Sequence, residues 1–74
     1  MDNLKWMPFQ SSNVQEGAYD SASKRLYVRF NSGRTYAYHG VEPFRWSELR
    51  EAESTGTYLH RVIMPNYPAE EVER

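Results

Sequence analysis

The sequence predicts an α+β domain, in which a three-stranded antiparallel meander is followed by two C-terminal helices. Three observations support this prediction. Apolar residues alternate with polar ones over residues 25–30, the apolar spacing becomes helical after Pro43, and Pro65 and Pro68 close the helical part. Because the chain has only 74 residues, we expect a single domain over residues 1–74, with its core at about residues 7–67.

The strand over residues 25–30 is the clearest β element. Leu26, Val28 and Phe30 alternate with Tyr27 and Arg29, as in a strand with one apolar face. The cluster 31–33 ends in a glycine and predicts a turn that leads into a second strand at residues 34–38. Residues 13–19 predict a third strand, before a polar turn at 20–23. Gly17 within that strand indicates a bulge or a close approach by another part of the chain.

The helical third begins at Pro43, which suits the first turn of a helix. Helical spacing of Trp46, Leu49 and Ala52 predicts a helix from about residue 43 to 54. Residues 54–57 predict a terminating glycine and a new hydroxyl cap, followed by a second short helix with its apolar stripe at residues 59, 62 and 63. Residues 69–74 are mostly acidic and predict a frayed tail.

Composition restricts the function classes. Nine Lys and Arg residues nearly cancel ten Asp and Glu residues, so the whole molecule has no strong attraction for polyanions. The absence of cysteine excludes disulfides and thiolate metal sites. His39 and His60 have no identifiable nucleophile or carboxylate arrangement beside them, so we expect no enzyme activity, metal or cofactor. No apolar run approaches the ~20 residues that cross a bilayer, and the N-terminus has no leader pattern, so we expect no membrane association and a cytoplasmic protein.

Elements spread along the chain carry a family resemblance. They are Ser11-Ser12-Asn13-Val14, Gly17, Tyr19-Asp20, the strand from Leu26 to Phe30 with Gly33, Tyr36-Ala37-Tyr38, Val41, Pro43, Ala52, Ser54, Gly56, Tyr58 and Ile63. In order and spacing they resemble the KTSC domain, which occurs at the C-terminus of some lysyl-tRNA synthetases and as a free-standing protein of bacteria and phages. The resemblance covers roughly residues 7–67 and implies an RNA-binding or partner-docking role.

The register of the hairpin decides where Tyr36 and Tyr38 point. A three-residue loop, 31–33, pairs residues 30 and 34 and places both tyrosines on the side of Leu26 and Val28, in the core. A two-residue loop moves them to the opposite side, beside Tyr27, as an exposed aromatic and basic platform. The three-residue loop is a common hairpin form, and we favour the core alternative.

A nucleic-acid site on the hairpin is the leading functional hypothesis. Its candidates are Lys24, Arg25, Tyr27, Arg29, Arg34, Tyr36 and Tyr38. Tyrosine rings stack on unpaired bases, and arginines contact phosphates. The alternative interpretation of the same charges is the ordinary solvated face of a sheet.

A second candidate is a compact anion site at Ser54, Gly56, Thr57 and Arg61, where N–H groups, hydroxyls and a guanidinium could receive a phosphate. Because no phosphate-loop motif is present, we favour the alternative of an ordinary helix stop and restart, in which Ser54 and Thr57 bond to the backbone.

Two functions therefore remain open: binding of RNA or another single-stranded nucleic acid, and docking on a protein partner. Docking would use the aromatic residues Trp6, Phe9, Phe44 and Trp46 together with the acidic first helix. The sequence leaves the oligomeric state undetermined.

Overall fold

One five-stranded antiparallel sheet forms the centre of the computed structural model, which describes residues 4–73. The strands are β1 (Met7–Pro8), β2 (Val14–Asp20), β3 (Arg25–Phe30), β4 (Thr35–His39) and β5 (Ala69–Val72), and they lie in the sheet in that order. The predicted α+β class and the three-stranded meander, β2 to β4, are confirmed. The sheet has two more strands than the sequence predicted, one at each edge.

The C-terminal edge strand corrects the prediction of a frayed tail. Residues 69–72 pair with β4, with Val72 opposite Thr35 and Ala69 opposite Tyr38. The His39 N–H also donates to the Pro68 carbonyl at 2.9 Å. The acidic composition concealed this strand because its pairing joins residues that lie more than thirty positions apart in the sequence. Arg74, the last residue of the predicted tail, lies outside the described residues.

Two helices connect β4 to β5. Helix α1 spans Pro43–Glu51, three residues shorter than predicted. Helix α2 spans Thr55–Tyr58 and continues without a break into a π-helical turn, Leu59–Ile63, in which the Met64 N–H donates to the Leu59 carbonyl at 2.8 Å. Ser54 caps α2, since its Oγ accepts from the Thr57 N–H at 3.2 Å. Gly56 therefore lies within α2 and does not end a helix as predicted.

The hairpin between β3 and β4 has the three-residue loop. The Phe30 N–H donates to the Arg34 carbonyl at 2.9 Å, and Val28 and Leu26 lie opposite Tyr36 and Tyr38. Gly33 has a φ of 97°, which a residue with a side chain rarely adopts. Both tyrosines thus lie on the side of Leu26 and Val28, which confirms the core alternative.

The main core lies between the helices and one side of the sheet, called here the helix face. Its fully or nearly fully buried members are Val14, Leu26, Val28, Tyr38, Val41, Leu49, Leu59 and Ile63. Burying each large apolar side chain contributes about 1.5–3 kcal/mol. The apolar stripe predicted for the second helix supplies two of these residues.

Gly17 allows the helix face to close at the β1 end. A Cβ atom there would lie 2.8 Å from Phe9 Cε2 and 3.5 Å from Trp46 Cζ3. Trp46 also stacks on Tyr19, with ring centroids 6.2 Å apart and planes at 17°. The pairing of β2 with β3 shifts register between Val14 and Glu16, which marks a bulge. The close approach predicted at Gly17 is thus confirmed, whereas the bulge lies before Gly17, which itself pairs regularly with Val28.

The opposite face of the sheet carries a smaller core. Ala18, Tyr27 and Ala37 are buried there, under Leu4 and Trp6 of the N-terminal segment and Val72 of β5. Tyr27 is therefore a core residue whose ring lies near that of Trp6, with centroids 6.3 Å apart.

Candidate binding groove

The residues predicted for the nucleic-acid site do not share one surface. Arg34, Tyr36 and Tyr38 lie on the helix face, whereas strand alternation places Arg25, Tyr27 and Arg29 on the opposite face; Lys24 lies in the turn before β3, with a φ of 56°. The prediction of one continuous aromatic and basic sheet face is therefore wrong. The three-residue loop sets the register in which Tyr36 and Tyr38 lie on the helix face, away from Tyr27 and Arg29.

On the opposite face, acidic side chains accompany the arginines. Arg29 Nη1 lies 3.6 Å from Glu16 Oε2, and Arg25 lies across from Asp20 in the ladder between β2 and β3. A hydrogen bond from Ser23, together with the backbone N–H groups of the turn and the charge of Arg25, lowers the pKa of Asp20. Positive charge is consequently compensated locally, and this face lacks the potential that attracts a phosphate backbone.

The helix face instead contains an open groove with a volume of about 520 Å³. Its lining residues are Asn13, Phe30, Ser32, Arg34, Tyr36, Tyr38, Met64, Tyr67 and Ala69. The β3–β4 hairpin supplies one wall, and the segment that leads from the π-helical turn to β5 supplies the other. The Phe30 and Tyr36 rings meet edge to face, with centroids 5.8 Å apart.

The Tyr67 wall of the groove is fixed by hydrogen bonds. The Tyr67 hydroxyl donates to Glu42 Oε1 at 2.5 Å and accepts from Arg45 Nε at 3.2 Å. Burial and the bond to Glu42 raise the pKa of Tyr67, and the same bond lowers the pKa of Glu42. Arg45 continues the network to Glu48, which also accepts from the Tyr58 hydroxyl. The ring of Tyr67 is thereby held in a defined orientation before any ligand arrives.

Arg34, at the rim of the groove, interacts with Tyr36 and Glu71. Hydrogen bonding with Tyr36 and then the charge of Glu71 raise the pKa of the Arg34 guanidinium, although Arg34 has no ion pair within 4.0 Å among residues 4–73. Glu71 lies directly opposite Tyr36 in the ladder between β4 and β5. Arg34 and Glu71 also line a hollow of about 300 Å³ next to the groove, with Arg34 shared between the two depressions.

The four residues of the predicted anion site lie close together on the surface. Gly56, Thr57 and Arg61 line a hollow of about 340 Å³ with Asn13 and His60. Ser54 borders an adjoining hollow with Thr57 and Arg61. The Ser54 hydroxyl accepts from the Thr57 N–H and donates to Thr57 Oγ1 at 2.9 Å, as in an ordinary helix cap.

Arg61 and His60 have no acidic side chain within the 4.0 Å ion-pair distance among residues 4–73. Asn13 lines both their hollow and the groove, so the two depressions are neighbours. The predicted anion site and the groove part of the predicted nucleic-acid site, which the sequence presented as unrelated, thus adjoin at Asn13.

The sequence interpretation missed six residues that line the groove, namely Asn13, Phe30, Ser32, Met64, Tyr67 and Ala69. Tyr67, an aromatic residue between two prolines, was the available signal.

Within residues 4–73 no group of three or more His, Asp or Glu residues has the arrangement of a metal site. Of the helices in that range, none has the length and apolar character needed to cross a membrane.

The aromatic residues predicted for protein docking are mostly covered. Phe9, Trp46 and Trp6 pack against the two cores and are only partly exposed. Phe44 at the start of α1 is the exception, with an exposed fraction of 51%. The Arg45 guanidinium lies 4.8 Å from the centroid of the Phe44 ring.

Comparison with known proteins agrees with this architecture. The sequence model of the KTSC domain matches residues 10–67, most of the chain. The fold is also that of a crystal structure of a KTSC domain protein from Yersinia pestis, with a TM-score of 0.90 and 24% identity, over 95% of this chain and 99% of that one. The chain therefore belongs to the KTSC domain family.

Two relatives differ in how much of their length the match covers. A protein of Tsukamurella paurometabola is 37% identical over 62 residues, which are 84% of this chain and 92% of that protein. A lysine–tRNA ligase of Trichormus variabilis is 32% identical over 63 residues, 85% of this chain but only 11% of the ligase. The same domain thus occurs in a chain of similar size and as a small part of a much larger enzyme.

Proposed function

We propose that this protein is a non-catalytic module that binds RNA, or another single-stranded nucleic acid, in the aromatic groove of the helix face and that it needs no cofactor. The observation that carries the proposal is the groove itself. Phe30, Tyr36 and Tyr67 line a concave surface that is open to solvent, and Tyr67 is held in place by Glu42 and Arg45. Stacking of a base on an aromatic side chain contributes about 1–3 kcal/mol, and a fixed ring loses little freedom on binding.

The positively charged hollow beside the groove favours contacts with the phosphate backbone of the ligand. Arg61 and His60 lie in the hollow that shares Asn13 with the groove, and neither has an acidic partner among residues 4–73. A phosphate next to the stacked base would meet the Arg61 guanidinium there. The predicted anion site and part of the predicted nucleic-acid site would then serve one ligand.

The relationship to a lysine–tRNA ligase is consistent with an RNA ligand, because that enzyme is named for a tRNA substrate. The match covers a small part of the ligase, so the ligase activity itself is not proposed for this chain. A cytoplasmic location remains a prediction from the sequence.

A fluorescence anisotropy titration with a labelled oligouridine, at a low and a higher salt concentration, tests the proposal. We expect Tyr36→Leu to weaken binding about tenfold, since one stacking ring is lost. Arg61→Gln should weaken binding at low salt and reduce the slope of log affinity against log salt by about one. Arg25→Gln makes the same charge change on the opposite face of the sheet and should leave affinity and slope nearly unchanged.

The contrast between Arg61 and Arg25 decides the outcome. Equal losses in both variants would show unspecific attraction to positive charge, and no binding by the wild-type protein at low salt would remove the nucleic-acid proposal. In either case the groove would not be the site that we describe.

Docking on a protein is the second candidate, and the exposure of Phe44 favours it. A large aromatic side chain that is half exposed on a helix is typical of an interface anchor. If Phe44 is the anchor, Phe44→Ala should abolish capture of the partner while leaving oligonucleotide affinity unchanged, which separates this function from the first.

A further inference from the structure

The rim of the groove has a chemistry different from that of the Arg61 hollow. Arg34 lies near Glu71, and these two residues also border one hollow beside the groove. The charge of Glu71 reduces the positive potential around the Arg34 guanidinium, so a phosphate gains less there than at Arg61. A pair with one donor group and one acceptor group is instead suited to a ligand edge that presents both acceptors and donors.

Base edges have this property, and the position of the pair fits one. Glu71 lies opposite Tyr36, the ring on which a base would stack, and Arg34 is two residues from Tyr36 on the same face of β4. The edge of a base on Tyr36 would therefore be directed toward one charged group of each sign.

We propose that the groove selects guanine, with the Glu71 carboxylate accepting from guanine N1–H and N2–H₂ and the Arg34 guanidinium donating to O6 and N7. Guanine is the base that offers two adjacent donors to a single carboxylate, and the O6 and N7 acceptors are the preferred partners of arginine. Uracil and cytosine each present fewer of these groups, and adenine has no oxygen acceptor. This inference rests on the proposed function of the groove.

The test uses the full chain and four labelled RNA hexamers that are uridine throughout or carry one central guanosine, adenosine or cytidine. We expect the guanosine hexamer to bind about tenfold more tightly than the oligouridine, which is the usual gain from one bidentate base contact. Glu71→Gln should reduce this ratio to about threefold, because the Arg34 contacts to O6 and N7 remain. The ratio is the diagnostic quantity, because removal of a negative charge raises the affinity for every RNA.

Glu51→Gln is the matched control. Glu51 is exposed at the end of α1 and lines none of the depressions described above, so its variant changes the net charge equally without altering the groove. The guanosine preference should persist in Glu51→Gln. Circular dichroism of both variants shows whether the fold is retained.

Three results would overturn the inference. Equal affinity of the wild-type protein for all four hexamers would refute base selection and leave the binding proposal intact. A guanosine preference that is unchanged in Glu71→Gln would assign the selection to other residues. Failure of every hexamer to bind would refute the function and the selectivity together.

Discussion

The two faces of the sheet are built from the same strands but differ in how much apolar surface they bury and in whether they carry a groove. The helix face buries eight residues beneath α1, α2 and the π-helical turn and still leaves an open groove at one end. The apolar core of the opposite face, within residues 4–73, is smaller and consists of Ala18, Tyr27 and Ala37, under a short N-terminal segment and Val72. Stability and the candidate site therefore lie on the same face. The opposite face contributes mainly paired charges and a thin apolar cover.

The largest effect should come from a cavity in the helix-face core. Leu26 is completely buried, so Leu26→Ala should lower the free energy of unfolding by about 3 kcal/mol, through lost transfer energy and the cavity left behind. Urea denaturation measures this change. Val72→Ala, on the opposite face, should cost about 1 kcal/mol or less, because that side chain is only partly buried.

If Leu26→Ala leaves too little folded protein, Ile63→Val removes a single methyl group from the same core and should cost about 1 kcal/mol. Equal costs for the Val72 and Leu26 variants would show that the opposite face is as important to stability as the helix face.

Gly17→Ala should have the next largest effect, a loss of about 1 kcal/mol. The new methyl group would lie 2.8 Å from Phe9 Cε2, and this contact forces the ring away from Trp46. In a Phe9→Ala background the same substitution should be nearly neutral, because the obstructing ring is gone. A thermal denaturation cycle of the four proteins provides the measurement, and additive effects would contradict the steric explanation.

Tyr67→Phe tests the hydrogen bonds that fix the groove wall. Loss of the hydroxyl should raise the pKa of Glu42 back toward its ordinary value, which an NMR titration of the carboxyl carbons measures directly. Because the folded-state pKa of Glu42 is lowered, its stabilising contribution is present above the unfolded pKa and disappears as the pH falls through the folded pKa. The variant should therefore lose less stability on acidification than the wild-type protein. An unchanged Glu42 titration would show that another group lowers this pKa.

The smallest effect should come from the hydrogen bond between the edge strand and its neighbour. His39 Nε2 lies 2.8 Å from Glu70 Oε1, and the Glu70 side chain is largely solvent-accessible. Glu70→Gln should cost about 0.2–1 kcal/mol, and less at high salt. Glu73 forms no ion pair with another residue in the range 4–73, so Glu73→Gln makes the same charge change and should be close to neutral. A cost above this range for Glu70→Gln would mean that β5 depends on the pair.

Local patterns in the sequence were sufficient for the hairpin and for the main helix. Alternation over 25–30 predicted β3, the glycine of the turn favoured the three-residue loop over the alternative register, and Pro43 marked the start of α1. Edge strands β1 and β5 were missed because two and four residues carry too little periodicity. Their formation depends on partners that are distant in the chain.

The candidate site was predicted only in part for the same reason. Arg34, Tyr36 and Tyr38 were recognised because they belong to the hairpin. Met64 and Tyr67 reach the groove because the chain turns back after the π-helical turn. Pro65 and Pro68 predicted the end of the helix, but they do not predict the direction of the chain beyond it. The charge pattern of β3 was misleading, because Arg25 and Arg29 lie across the strand from acidic residues of β2.

Because of the π-helical turn at Leu59–Ile63, the shape of the groove depends on how many residues the turn contains as well as on which residues they are. A π-helical turn contains one residue more than an α-helical turn. Its hydrogen bond runs from the Met64 N–H to the Leu59 carbonyl, five positions earlier. Deleting a single exposed position there would tighten the turn and rotate everything that follows by about a quarter-turn or more. Ligand preference could thus differ between relatives through one short insertion or deletion, even where every lining residue is identical.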